Sequence, residues 1–523
     1  MKKLVYSQRW LILISLFIII VTTIPYLIGY SLENQQNQFS GFIIGVEDGN
    51  SYIAKMLLGT NGKWLFTTPY TAYPQNEFFA FFPYILLGKL AANPEIRLQL
   101  VMLFHVFRII GIIFLVFETY LLSLSFLEDR KKSTLVTFLL IFGGGIGWIG
   151  VIFPEIVNNR MPLEFYSPET FGFLSAFSLP HLLFGRAFLF KSFRTFLQIN
   201  IIDVENKFLL ALSGLWLLVS GIFQPLNLII GWAVVGSYLL FQLITKKLKI
   251  SKIFLWVYWF LPSVPLLFYN LFSFLFDPFL SSWQGQNRIP SPPVFDYLLA
   301  YGLGLASIAF LIFKKREKEI KNIVFLYSWL IVLPVLIYLP LNIQRRLSEG
   351  VWFCFSVFLA FLIFEIKNRS FQVFLVFLLS FSSILVLFGS ISTVRNVSEP
   401  VYIPNSVREV ADQVEMHMKV DDVVLAPYYE SNVLPSFIPV KVLTGHGPES
   451  MNLEEISPYL DNFYRGNLSI NEMNDFVEEF NIKFIIIPSK YEIGKLATQL
   501  SSFTTTIHYQ NNDYLLVEIN EKP

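Results

Sequence analysis

FFAFFPYILLGKLA, residues 78–91, is the stretch whose reading decides the fold. It is apolar enough for lipid, but a helix needs about 20 apolar residues to cross the hydrocarbon core. The run is therefore expected to be a short helix lying half-buried at the interface. If it crossed, the turn EDRKK at 128–132 would move to the outer face and the acidic segment 154–170, PEIVNNRMPLEFYSPET, to the inner one. That placement opposes the rule that lysine and arginine gather on the cytoplasmic side.

Working outward from this choice, about eleven spans are predicted: 11–30, 101–126, 134–153, 172–190, 208–222, 225–244, 253–275, 295–313, 322–340, 350–366 and 371–394. With these spans alternating, one face collects Lys2, Lys3 and Arg9, then Arg130, Lys131 and Lys132, Lys191 and Arg194, Lys246, Lys247, Lys249 and Lys252, the basic run from Lys314 to Lys321, and Lys367 with Arg369. That face is the cytoplasm. The N-terminal run 11–30 starts after a basic MKKLVYSQRW, as a secretory signal does, but it is long enough to span and no small-residue cleavage site precedes SLENQQNQFS. It reads as a retained first helix with a cytoplasmic N-terminus.

Composition agrees with a membrane location. Of 523 residues, 54% are hydrophobic and 15% charged, a balance that belongs largely in lipid. The formal net charge of +1 gives no electrostatic case for nucleic acid. One cysteine, Cys354, cannot form an intrachain disulfide. The expected class is a polytopic α-helical protein of the plasma membrane with a C-terminal extracytoplasmic α/β domain. The transmembrane domain is placed at 1–394, with a first external loop at 31–98, and the α/β domain at 395–523. In that last region, β-rich runs at 423–426, 440–443, 484–488 and 514–519 alternate with helical patterns at 406–418, 453–464, 472–480 and 491–500.

Within the first external loop, GVEDGNSYIAKMLLG at 45–59 carries adjacent carboxylates, Glu47 and Asp48, between glycines, with Tyr52 four residues on. Two readings of Asp48 are open. It can take a proton from an acceptor hydroxyl or hold a divalent cation beside a phosphate, or Asp48 or Asn50 can simply cap the helix that follows. The next external loop carries Glu155, Glu164 and Glu169, the last immediately before an apolar run with His181. Arg345 and Arg346, in LNIQRRLSEG, are basic residues on the face the charge rule disfavours. They either hold an anionic phosphate, for which guanidinium is well shaped, or pair with Glu349. His181 is an intramembrane polar residue and so a site candidate, with a satisfied core histidine as the alternative. Arg186 and Lys191 are expected to snorkel at a span end. His446 lies on a glycine-rich turn, TGHGPES at 444–450. The three glycines 143–145 have no strand before them or lysine after them and read as close helix packing, not a phosphate loop. No nucleophile elbow or Cys/His metal cluster is present in the sequence.

A first helix, a long external loop with an early acid and the spacing Asp48-x-x-x-Tyr52, the aromatic-proline segment Phe81-Phe82-Pro83-Tyr84, many spans and a terminal α/β region together resemble the GT-C superfamily. That superfamily includes protein mannosyltransferases, aminoarabinose transferases and oligosaccharyltransferases. The resemblance implies a glycosyltransferase that takes a sugar from a polyprenyl-phosphate carrier and passes it, with inversion, to a glycan, lipid or protein acceptor. It makes Asp48 the base or metal-holding carboxylate, with Glu47 as stand-in. Arg345 or Arg346 would match the basic residues that hold the carrier phosphate; from the reading of the residues, Tyr52, Glu169 and His181 join them as candidate substrate-binding residues, and a divalent cation, Mg or Mn, if one is bound, would fall to Asp48 and Glu169. No WWDYG-like motif occurs in the C-terminal region, which argues against an oligosaccharyltransferase. The competing classes are a transporter or flippase of lipid-linked glycans and a polysaccharide polymerase or ligase. Carboxylates in a loop rather than mid-span, and the absence of an inverted repeat, argue against the first.

Overall fold

A computed structural model describes residues 2–199, 206–419 and 422–520; the last three residues of the region expected to run to 523 lie outside these. The chain forms two compact units, each assembled from separate stretches. One comprises Met1–Pro25, His105–Phe272 and Arg288–Ile391, the other Tyr26–Phe104, Ser273–Asn287 and Ser392–Pro523.

Among the described residues, seven helices are long and apolar enough to cross a membrane: Arg9–Ser31, Ile96–Leu127, Leu226–Ile244, Lys252–Phe276, Val294–Phe313, Gln344–Glu365 and Arg369–Arg395. Lys207–Phe223 and Ile323–Ile337 are apolar but shorter. Two of the expected spans are interrupted instead. The run at 134–153 is a helix, Arg130–Phe142, that stops at Gly143 in an extended conformation before the short helix Trp148–Ile152. Gly145 there packs directly on the Ala300 backbone, where a Cβ would collide; the three glycines, expected to mark helix packing, lie in the break between two helices. The run at 172–190 breaks at Leu179 into Gly172–Ser178 and Pro180–Leu197. Pro180 cannot donate a helical N–H and disfavours helical geometry in the residue before it.

The other unit holds two sheets. Strand β1 (Asn37–Phe39) pairs antiparallel with β2 (Tyr402–Pro404). Strands β3 (Val423–Leu425), β4 (Lys441–Val442), β5 (Ile482–Pro488), β6 (Thr504–Gln510) and β7 (Tyr514–Asn520) form a five-stranded sheet in the order β4-β3-β5-β7-β6. β3 runs parallel to β4 and β5, and β7 antiparallel to β5 and β6. The run Phe484-Ile485-Ile486-Ile487 is buried throughout because both faces of the sheet are covered. Ile485 and Ile487 meet Ile456, Leu460 and Phe463 of the helix Leu453–Tyr464, whereas Phe484 and Ile486 meet Val407, Val410 and Val414 of the helix Asn405–His417.

The first loop joins this unit through its side chains. Ala54 and Tyr70 belong to the same buried cluster as Val424 and Ile486, and the Val442 N–H donates to the Pro69 carbonyl at 2.8 Å. The helix Val46–Thr60 starts after Gly45, which is left-handed at φ +63 and offers no side-chain cap. Neither Asp48 nor Asn50 is therefore the cap; Asp48 stands in the first turn, where a negative charge favours the helix dipole. The helix expected over 78–91 is confined to Phe82–Gly88, with Pro83 at its start, while Phe78 forms a bridge with Phe66. Gly59 and Gly88 let the two helices touch backbone to backbone, a Cβ on Gly88 falling on the Met56 carbonyl. Gly88→Ala is expected to cost about 1–3 kcal/mol by overpacking, read as a lower unfolding temperature of the purified protein.

Candidate active site

Asp48, Ser51 and Lys55 follow one another at helical spacing on Val46–Thr60, so they share a face. Asp48 is 56% exposed, whereas Lys55 is only 1% exposed and needs a counter-charge. Glu449, also 1% exposed, supplies it at 2.6 Å. The remaining capacity of that carboxylate is taken up locally: Ser51 Oγ donates to Oε1 at 3.1 Å and Thr68 Oγ1 to Oε2 at 2.7 Å. Lys55 also donates to Ser51 and stands 4.3 Å over the Phe81 ring, an arrangement in which the ring face favours the cation.

His446 links this buried pair to Asp48. Its Nε2 is 3.1 Å from Asp48 Oδ1. Its Nδ1 is 3.2 Å from Glu449 Oε1, close enough for an ion pair though poorly directed for a hydrogen bond. Burial by itself lowers the imidazole pKa, but the Glu449 charge and the Asp48 contact outweigh it and raise the group to about 9. Burial pushes the Glu449 carboxyl up, and Lys55 and His446 together hold it well below the usual carboxylate range. At neutral pH the imidazole is thus a cation between two carboxylates. Glu47 faces another partner, accepting from Tyr428 Oη at 3.3 Å, while that hydroxyl accepts from the Gly447 N–H at 2.8 Å. Tyr52 stacks on Tyr84 with centroids 4.6 Å apart and is partly buried.

Glu47, Asp48 and Tyr52 fall in one compact unit, Glu169, His181, Arg345 and Arg346 in the other. In the second group, Arg346 Nε is 3.3 Å from Glu169 Oε1, the glutamate being 5% and the arginine 38% exposed in its side chain. Arg345 lies 4.5 Å over the Tyr166 ring. Glu349, the alternative partner for these arginines, is taken instead by Arg186 at 2.5 Å, and both are fully buried. Arg186 therefore does not snorkel; its Nη2 also donates to the Pro168 and Glu169 carbonyls at 2.7 Å each. His181 is the second residue of the helix Pro180–Leu197 and is partly buried. Nearby in sequence, Glu164 is buried, accepts from the Gly147 N–H at 2.7 Å, and is raised by burial to about 7.

Sequence reasoning gave His446 a minor place and missed Lys55 and Glu449. The only available signal was Lys55 itself, a lone cation in an otherwise apolar helix segment, IAKMLLG at 53–59. A divalent cation does not fit the donors beside Asp48. Both oxygens of Glu449 are already committed to Lys55, Ser51 and Thr68, and Asp48 is left without a second free carboxylate beside it. Among the described residues no group of three or more His, Cys, Asp or Glu side chains is suited to hold a metal.

No family model matches the sequence, and no curated protein matches it. Solved structures do match in shape. The archaeal oligosaccharyltransferase AglB from Archaeoglobus fulgidus, in complex with an inhibitory peptide and a dolichol-phosphate, is 12% identical with a TM-score of 0.52, covering 94% of this chain and 73% of that one. The same enzyme with Zn and sulfate is 11% identical at 0.51, covering 95% and 72%. The mycobacterial arabinofuranosyltransferase AftD is 11% identical at 0.53, covering 96% of this chain and 41% of its own. At these identities the likeness concerns architecture alone.

Proposed function

We propose that this protein is a membrane glycosyltransferase that moves a sugar from a polyprenyl-phosphate carrier to an acceptor outside the cytoplasm, with Asp48 as the general base. The observation that carries this reading is the state of Asp48: a solvent-facing carboxylate in a helix first turn, held by an imidazole that is itself backed by a buried ion pair. Supporting contacts of this kind fix the orientation of a reacting side chain. The fold adds weight, since the oligosaccharyltransferase of like architecture was solved with a dolichol-phosphate.

In the reaction, Asp48 takes the proton of an acceptor hydroxyl as its oxygen attacks the anomeric carbon. The bond from that carbon to the carrier phosphate breaks on the opposite face, and the polyprenyl phosphate leaves with the electron pair. Configuration inverts. Within the other unit, Arg346, paired with Glu169, and Arg345, lying over Tyr166, are proposed by themselves as a binding place for an anionic phosphate. We further place eleven crossings with the N-terminus cytoplasmic, a transmembrane domain over 1–394, and the region 395–523 on the outer face. No step requires a metal.

Transfer from a panel of polyprenyl-phosphate hexoses and pentoses by the wild type and Asp48→Asn tests the proposal; full transfer by the variant would overturn it. Arg346→Ala is expected to lose about 1.5–3 kcal/mol of charge-assisted binding, roughly a 10- to 150-fold drop in kcat/KM for the carrier-linked sugar. An unchanged kcat/KM would remove Arg346 from the site.

A further inference from the structure

The turn that carries His446 is built for rigidity beyond what a surface loop needs. Gly445 adopts φ +152, and a Cβ there would stand 2.6 Å from the Ser431 backbone, so a side chain is excluded. The Gly445 and His446 N–H groups both donate to Ser450 Oγ, at 3.0 and 3.2 Å. The Glu449 N–H closes on the His446 carbonyl at 2.9 Å, and Gly447 is tied to the Tyr428 hydroxyl. The Tyr70 ring lies 5.5 Å from the imidazole, centroid to centroid. Glu449, which faces Nδ1, is itself fixed by Lys55, Ser51 and Thr68. The side chain is 12% exposed. Every part of this frame restrains the imidazole, and its other nitrogen meets Asp48.

We propose that His446 is a positioning residue for Asp48: Nε2 holds the Asp48 carboxylate through Oδ1 in the orientation that receives the acceptor proton, and Glu449 holds the ring in turn. The inference rests on reading Asp48 as the base. An exposed aspartate on a helix otherwise samples several rotamers, and a reacting group misplaced by about 1 Å costs on the order of 100-fold in rate. His446 spans the 398 residues of sequence between itself and Asp48 to select one of those rotamers.

The test compares His446→Ala, His446→Gln and Asp48→Asn in the full-length protein, using the same polyprenyl-phosphate sugar panel and the unfolding temperature of each variant. His446→Ala is expected to lose about 10- to 100-fold in kcat while KM for the donor stays within about twofold, as a residue that acts through Asp48 requires. His446→Gln, whose side-chain amide can still donate to Asp48, is expected to keep most of kcat. Added imidazole is expected to restore part of the activity of His446→Ala. A fully active His446→Ala beside an inactive Asp48→Asn would overturn the positioning role and leave Asp48 standing. So would His446→Gln as inactive as His446→Ala with both folded. An active Asp48→Asn would overturn both readings together. If the alanine variant unfolds, a folded His446→Gln that lacks transfer overturns the positioning role, and one that keeps most of kcat supports it.

Discussion

Asp48→Asn is expected to transfer sugar about 10²- to 10⁴-fold more slowly than the wild type, the range contributed by a positioned general base. The amide is nearly isosteric with the carboxylate but cannot accept a proton from a hydroxyl at neutral pH. Its effect on folding is small by comparison. Asp48 does not cap its helix, which begins after Gly45, and the interaction of its charge with the helix dipole is worth about 0.3–1 kcal/mol. The large loss therefore belongs to kcat, with the unfolding temperature nearly unchanged, and the measurement is initial transfer rates alongside thermal unfolding. Glu47→Gln is the companion variant. Glu47 accepts from Tyr428 rather than from His446, so it is expected to lose far less; equal losses would mean that the pair acts as a unit. An Asp48→Asn enzyme within about twofold of wild type would remove this residue from the chemistry.

Glu449→Gln is expected to have the largest effect on stability, about 3–5 kcal/mol, because removing one partner leaves the other charge buried. Lys55 is 1% exposed and has Ser51 and aromatic rings for its other neighbours. None of these carries a compensating charge. The expected result is a marked fall in unfolding temperature and loss of transfer with it, since His446 loses the carboxylate behind its ring. Changing both partners, Glu449→Gln with Lys55→Met, is expected to recover most of the stability, since a neutral side chain of similar length fills the same space. It is not expected to recover transfer. Recovery of both would show that the buried charges have no role beyond folding.

Much of the fold follows from local pattern. The helices Asn405–His417 and Leu453–Tyr464 and the strands Val423–Leu425 and Ile482–Pro488 lie where apolar periodicity puts them, because each must bury one face or both. The strand Thr504–Gln510 was missed. Its residues TTTIHYQ are mostly exposed on the sheet edge, so no alternation marks it. The broken helices at 143–145 and 179 were merged into spans because hydropathy averages over a window and does not register a single backbone break. Asp48 was legible as a carboxylate in a glycine-flanked turn. Its frame was not, because Glu449 stands 394 residues from Lys55 and no local rule pairs residues so far apart. Arg186 was misjudged for the same reason: a basic residue in an apolar helix reads as snorkelling until Glu349, 163 residues on, is found beside it.

The frame around Asp48 also sets a clock. Asn50 Nδ2 donates to Asn432 Oδ1 across 382 residues, and at 5–20 residues per second a ribosome needs roughly 20–75 s to cover that distance. Through this interval Lys55 has been synthesised and Glu449, 394 residues on, has not, so the ammonium lacks the carboxylate that neutralises it in the folded protein. Assembly of the site is then among the last events in the life of the nascent chain. A premature stop between codons 396 and 428 yields a polypeptide with the hydrophobic segments and the acid, yet without His446 and Glu449.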